Sequence, residues 1–399
     1  MKTGRDTLLA WRKEFPILQK STYLISNSLG AMPRGVYKSL GEYADEWATR
    51  GVRAWSDSWW DLPLTAGDAV APLIGAKPGE VTMHANITLL QAMLISCMEF
   101  RGGKNEIVMT DMEFPSVLYV YQKFATRLGA RLRVVESDDG IGVETEKILD
   151  AIGRNTKLVS VSHVLFKSAY IQDIRAITRK AHACGALVIL DAYHSVGVLP
   201  VDVRRLGADV LVGGVLKWLC GGPGAAFLWV RPPLDKKLHP AITGWFAHRK
   251  PFQFEKSMSY ADGPRQFLNG TPSISALAAA QVGLRIIAKA GIEHIRRKSM
   301  RQTALLIREA EERGFGVRSP LDPEKRGGTV TVDVPHAYEV SRELIRRNII
   351  VDFRKGAGIR LAPHFYTSDD ELLSAIESID EILRTKAYRR HAGKKSTVT

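Results

Sequence analysis

The sequence predicts an α/β protein with a mainly parallel central sheet in a large domain and a smaller α+β domain after it. Two observations carry that expectation. Between about residues 65 and 230, short β-rich apolar runs alternate with amphipathic helical segments, the pattern of a parallel sheet covered on both faces. Beyond about residue 280 the pattern changes to long helices rich in arginine and glutamate, separated by short strands. The length of 399 residues agrees, because a single hydrophobic core stops growing well below it.

Taken in order, the apolar runs are "NEIVMTD", "ARLRVVE", "TKLVSVSH", "ALVILDA", "ADVLVGG" and "AAFLWV". Between them lie "SVLYVYQKFATRLG", "VETEKILDAIGRN" and "DIRAITRKAHACG", which end in glycine or asparagine as helices do. The second region contributes the helices "EHIRRKSMRQTALLIREAEERG" and "AYEVSRELIRRN" and the strands "GTVTVDV" and "IIVDFR". Its last helix, "SDDELLSAIESIDEILR", opens with Ser368 as N-cap and acidic residues in the first turn. These changes divide the chain into an N-terminal segment over 1–40 packing with the small domain, a large domain over 41–285, a small domain over 286–385 and a flexible basic tail over 386–399.

Composition excludes several classes. Hydrophobic residues make up 45% and charged residues 25%, which is ordinary for a globular protein and excludes wholesale disorder. No apolar run approaches the roughly 18 residues of a membrane span, and the first residues lack the layout of a secretory signal, so a cytoplasmic protein with no membrane partner is expected. Cys97, Cys184 and Cys220 are an odd number at unrelated spacings, which argues against a disulfide framework and a metal site. The net charge of +14 is scattered, with no basic stripe interleaved with aromatics, so no nucleic-acid partner is expected.

Chemistry concentrates where apolar strands end, because open parallel sheets bind ligands outside the carboxyl ends of their strands. Asp191 closes "ALVIL" and His194 follows on the same turn. Alone, the pair reads equally as a cap and a turn residue. Lys217 adds a reason for more, since it follows a strand ending in two glycines and precedes the loop "WLCGGPG", both of which allow close approach. A partly desolvated lysine has a lowered amine pKa and forms Schiff bases with aldehydes. A nearby carboxylate holds a heteroaromatic nitrogen protonated, and together these are the two groups that pyridoxal phosphate needs.

The stretch "LDAYHSVGVLPVDVRRLGADVLVGGVLKWLCGGPG" resembles the core of the class V aminotransferase group of fold-type I pyridoxal-phosphate enzymes. "YLISNSLGAMP", "MEFPS", "GWFAH", "FLNGTPSI" and "GIRLAPHFYTSDDEL" are similar to the kynureninase-like branch and occur in its order over about residues 20 to 385. The resemblance implies a pyridoxal 5'-phosphate cofactor, an amino-acid substrate, and a homodimer with shared active sites. Lys217 becomes the Schiff-base lysine and proton shuttle, Asp191 the partner of the pyridinium, and His194 a neighbour of the phenolic oxygen. Phe114 stacks on the ring, and Arg360 grips the substrate carboxylate, a task suited to a planar fork. Asn86 and Ile87 open a helix whose N–H groups hold the phosphate, while Asn269 and Thr271 reach a neighbouring subunit's phosphate. Ser28, Trp55 and Trp245 line the substrate pocket or serve core and dimer packing. Ser162 and His163 are polar supports of the site or turn residues.

The chain departs from that branch at three places. Ile87 stands where threonine is usual, which leaves only backbone contacts there. Leu216 stands where kynureninases carry a tyrosine before the lysine, and Val52 where some carry a histidine. Kynurenine hydrolysis is therefore not implied by the resemblance alone, and another amino acid stays open as substrate. Cysteine desulfurase chemistry is argued against, because no cysteine follows Cys220. Three functions remain: a lyase or hydrolase acting through a lysine Schiff base and a quinonoid, an aminotransferase sharing the same first steps, and a non-catalytic basic scaffold on the same fold.

Overall fold

The computed structural model describes residues 6–393. In chain order its strands are β1 (Thr22–Tyr23), β2 (Val81–His84), β3 (Glu106–Thr110), β4 (Arg131–Val135), β5 (Thr156–Ser162), β6 (Leu187–Asp191), β7 (Val210–Gly214) and β8 (Ala226–Val230), followed by β9 (Gly316–Val317), β10 (Val330–Asp333), β11 (Ile349–Ile350), β12 (Asp352–Arg354) and β13 (Gly358–Leu361). The helices are α1 (Gly35–Arg50), α2 (Leu62–Val70), α3 (Ile87–Ile95), α4 (Pro115–Leu128), α5 (Thr145–Ala151), α6 (Ile174–Ala183) and α7 (Val203–Leu206), then α8 (Ile274–Ala290), α9 (Ile292–Glu312), α10 (Ala337–Arg346) and α11 (Asp369–Thr385).

The central sheet has seven strands in the order β2-β8-β7-β6-β5-β3-β4. Neighbours from β7 through β4 pair in parallel, and β8 runs antiparallel to both β7 and β2. Alternation along each strand sends residues to two cores. Val188, Leu190 and Leu211 face the core shared with α2, α6 and α8, whereas Ile189, Val210 and Val212 face the core shared with α3 and α4. The carboxyl ends of β5, β6 and β7 therefore lie side by side, with Ser162 opposite Asp191 and Asp191 opposite Val212.

The C-terminal part forms an antiparallel sheet, β12-β13-β10-β9, against α9, α10 and α11. The N-terminal segment joins this part, since β1 pairs in parallel with β11 and the Arg12 guanidinium bonds to Glu371 and the Tyr366 carbonyl. Ser368 caps α11, and Glu371 closes the capping box. The run "IIVDFR" does not act as one strand. It breaks at the buried Val351 into β11, which holds β1, and β12, which holds β13. Within the basic tail, Ala387–His391 forms a short helical turn whose His391 bonds to the buried Glu343. Residues 394–399 of that tail and residues 1–5 of the N-terminal segment lie outside the described residues.

A seam joins the two sheets. The loop after β5 is held by the small sheet and the segment before it: Ile171 N–H donates to the Lys325 carbonyl, Gly327 N–H to the Ala169 carbonyl, and the Thr331 hydroxyl to the Lys167 carbonyl. Among the described residues, no single helix is long and apolar enough to cross a membrane.

Candidate active site

Lys217 stands three residues beyond β7, at the mouth made by β5, β6 and β7. Gly214 explains part of its placement: a Cβ there would overlap the Tyr193 ring, so glycine lets that ring slide under the end of β7. The Lys217 Nζ lies 4.2 Å from the Tyr193 ring centre, 5.5 Å from that of Phe114, and 2.6 Å from His194 Nε2. Burial, then the Arg360 charge, lowers the lysine pKa, and burial lowers that of His194 well below its ordinary value. A neutral imidazole beside a partly deprotonated amine is the state in which lysine is nucleophilic.

Asp191 sits across from them at the end of β6. Its Oδ1 accepts the Tyr193 N–H at 2.9 Å, and burial raises its pKa while the Lys217 charge opposes the rise. Phe114, the N-cap residue of α4, is 42% exposed, and its ring meets the edge of Phe166 at 5.2 Å. An exposed ring held at its edge offers a free face for stacking.

Arg360 on β13 is 2% exposed and already bonded. Its Nε donates to Asp352 Oδ1 at 2.7 Å, its Nη2 to Asp352 Oδ2, and its Nη1 to the Phe166 carbonyl at 2.6 Å. The far end of the fork, Nη1 with Nη2, keeps its remaining N–H groups for a ligand carboxylate. Asp352 also takes Arg354 Nη2 at 3.0 Å. Asp352 and Arg354 escaped the sequence reading, since a charge alternating along "VDFR" looks like a solvated strand edge.

Asn86 caps α3 by accepting the Leu89 N–H at 3.0 Å, and Ile87 turns its side chain into the core. The Ile87 and Thr88 N–H groups take no partner among the described residues, so the helix start offers backbone donors alone. Ser162 gives its hydroxyl to Glu113, and His163 is buried with a neutral ring, its pKa pushed down to about 4. Asn27, beside Ser28, is 1% exposed with neither amide atom bonded. Its loop is tied to the Leu216 carbonyl through Gly30 N–H and to Ala362 through Ile25 and Ser26. Both amide atoms of Asn27 are therefore free to meet a ligand there. Asn27 was missed because an asparagine before Ser-Leu-Gly reads as a turn.

The remaining candidates gather elsewhere. Trp55 and Trp245 both pack on Phe246, whose N–H donates to the Asn269 carbonyl at 3.1 Å, and Thr271 is exposed on the same loop. None of these residues has a hydrogen bond or ring contact with Lys217, Asp191 or Arg360 among the described residues. A separate apolar groove, lined by Ile17, Leu29, Met32, Tyr37 and Leu40, holds none of the catalytic candidates. No group of three or more His, Cys, Asp or Glu side chains among the described residues is placed for a metal ion.

An amine, a carboxylate on the adjoining strand, an exposed aromatic ring and a helix start with unbonded N–H groups fit pyridoxal phosphate. Comparison with known proteins points the same way. The family model described as aminotransferase class-V matches residues 22–360. The chain is 33% identical to a kynureninase of Pseudomonas fluorescens, covering 96% of this chain and 94% of that one. It is 32% identical to a kynureninase of Burkholderia pseudomallei, with the same coverage. Among solved structures it is similar to an apo cysteine desulfurase from Thermococcus onnurineus NA1, with a TM-score of 0.83 at 24% identity over 94% of this chain and 98% of the other. A C-DES mutant with glycine covalently linked to its PLP cofactor gives 0.83 at 20% identity, covering 92% and 98%.

Proposed function

The chain belongs to the aminotransferase class-V family, and from that premise we propose that it cleaves the side chain of an amino acid by kynureninase-like lyase or hydrolase chemistry. It is a pyridoxal-phosphate-dependent enzyme acting on an amino acid. The observation that carries the reading is the Lys217 amine, 2.6 Å from a neutral His194 and facing Asp191 on the neighbouring strand. When bound, the cofactor supplies an electron-poor ring that takes up the electron pair of a bond broken at the substrate α-carbon.

The residues divide the remaining tasks. Lys217, with its lowered pKa, takes the α-proton and returns it. Asp191 holds a proton on the ring nitrogen, Phe114 stacks on the ring face, and the start of α3 takes the phosphate. Arg360 binds the substrate carboxylate with the free end of its fork, so the bond to be broken is set by the amino acid's other substituents. Leu216 offers no hydroxyl for proton transfer, so that work falls to Lys217. Cys220 is buried, and burial pushes its thiol up to about 12, which leaves no thiolate for desulfurase chemistry.

The grouping of Trp55, Trp245, Asn269 and Thr271 away from Lys217 supports a homodimer in which this cluster serves the neighbouring subunit's site. The half-exposed Leu29, Met32 and Leu40 and the exposed Tyr37 supply an apolar face for that contact. The free cysteines fit a cytoplasmic location. Transamination is the second reading, favoured by the missing tyrosine at Leu216.

The test is to incubate the cofactor-loaded protein with kynurenine, 3-hydroxykynurenine and the common amino acids and to identify the products, with Lys217→Ala as control. Side-chain cleavage without a keto acid supports the proposal. Turnover that stalls until a keto acid is added transfers it to transamination.

A further inference from the structure

A second carboxyl group lies beside the ring end of the site. Glu113 ends the loop after β3, immediately before Phe114, and is 2% exposed. Its Oε1 accepts the Thr110 hydroxyl at 2.8 Å, and its Oε2 accepts the Ser162 hydroxyl. Ser162 is the register partner of Asp191, so both carboxyls occupy one layer at the mouth of the sheet. The bond to Ser162 also spans 49 residues of sequence, fastening the loop that presents the Phe114 ring to the strand next to Asp191.

The charged and titratable groups around Glu113 are few. Asp191 faces it from β6 and Tyr121 from α4, while β3 and β5 contribute hydroxyls, and no basic side chain forms an ion pair with it among the described residues. Burial, opposed by the hydroxyl bonds and aided by Asp191, pushes the Glu113 carboxyl up to about 7. Asp191 has the Lys217 charge nearby, which opposes the rise that burial causes there.

We propose that Glu113 is a positioning residue of the cofactor site: by accepting the Thr110 and Ser162 hydroxyls it pins the Phe114 loop to the end of β5, beside Asp191. This role rests on the pyridoxal-phosphate reading above. The Phe114 ring is exposed and in T-shaped contact with Phe166, and its carbonyl accepts the Val117 and Leu118 N–H groups at the start of α4, so the Glu113 bonds hold the loop side of that corner. Loss of the pin lets the ring platform drift, and a platform misplaced by a fraction of an ångström stacks poorly.

The experiment titrates apo-protein with pyridoxal phosphate, following visible absorbance, for the wild type, Glu113→Gln, Glu113→Ala, Ser162→Ala and the Glu113→Ala/Ser162→Ala double variant, with thermal melting in parallel. Ser162→Ala weakens cofactor binding by roughly tenfold, the effect of losing one buried hydrogen bond, and Glu113→Ala, which also loses the Thr110 bond, by roughly tenfold to a hundredfold. The double variant is no weaker than the worse single one, because both remove the same bond. Glu113→Gln stays within about threefold of the wild type, since its amide oxygen accepts from Thr110 and its amide nitrogen donates to Ser162. Wild-type affinity in Glu113→Ala, additive losses in the double variant, or a Gln variant as weak as the Ala variant overturns the role. Should Glu113→Ala not fold, Ser162→Ala and Glu113→Gln decide it alone. A wild type that takes up no pyridoxal phosphate removes the functional reading itself, whereas uptake by wild type and Glu113→Ala alike removes this role only.

Discussion

Asp352→Ala tests how Arg360, the arginine proposed to bind the substrate carboxylate, is held. Asp352 is fully buried, bridges Arg360 through Nε and Nη2, and also meets Arg354 at 3.0 Å. Removing the carboxylate leaves the Arg360 guanidinium 2% exposed with only the Phe166 carbonyl as partner. Breaking a buried pair by deleting one member costs about 3–5 kcal/mol, because the surviving charge stays desolvated. In a chain of this size that corresponds to a melting temperature lower by roughly 4–6 °C. Urea denaturation with linear extrapolation measures the loss, and steady-state kinetics on whichever amino acid proves to be the substrate measures the function. KM rises about tenfold or more while kcat changes less, because the fork loses its orientation before any chemistry begins. Replacing both partners, Asp352→Leu with Arg360→Met, restores stability to within about 2 kcal/mol of the wild type but not substrate binding, since apolar residues of similar volume stand in well for a buried pair. A single variant within about 1 kcal/mol of the wild type, or a double variant as unstable as the single one, refutes the reasoning.

Three further outcomes are expected. Lys217→Ala abolishes turnover and the visible absorbance of the bound cofactor, read on the dialysed protein. Gly214→Ala pushes the Tyr193 ring from beneath Lys217 and weakens pyridoxal-phosphate binding at least tenfold, read by titration of the apo-protein. Glu343, held down to about 2 by Arg346 with help from His391 and Arg347, supplies stability that is present above its ordinary 4.5 and fades as pH falls toward about 2. Glu343→Gln therefore melts below the wild type at pH 7, and the gap closes between pH 4.5 and 2 in melts followed by circular dichroism.

Much of the architecture was legible because it is written locally. Apolar runs between turn residues marked β3 to β8, and Ser368 with acidic neighbours marked the start of α11. Lys217, Asp191 and His194 were singled out for a related reason: polar residues at or just beyond the ends of apolar strands lie at the mouth of a sheet, where ligands bind. β2 escaped because "VTMH" is short and lacks a β-branched run, although the completed sheet buries it entirely. Glu113 and Asp352 escaped because single acidic residues in a basic chain look solvated. Their burial comes from contacts 49 and 8 residues away, and only the folded layers reveal it. Trp55 and Trp245 show the limit of resemblance, since their common cluster with Phe246 emerges only from the coordinates.

The seam between the two sheets fixes a distance across the site. Three bonds rivet the loop after β5 to the small sheet and its approach, and Arg360 adds a fourth by donating to Phe166 within that same loop. Arg360 comes from the small sheet and Lys217 from the mouth of the large one, so the rivets hold guanidinium and amine at a set spacing, a gauge for any ligand that must reach both.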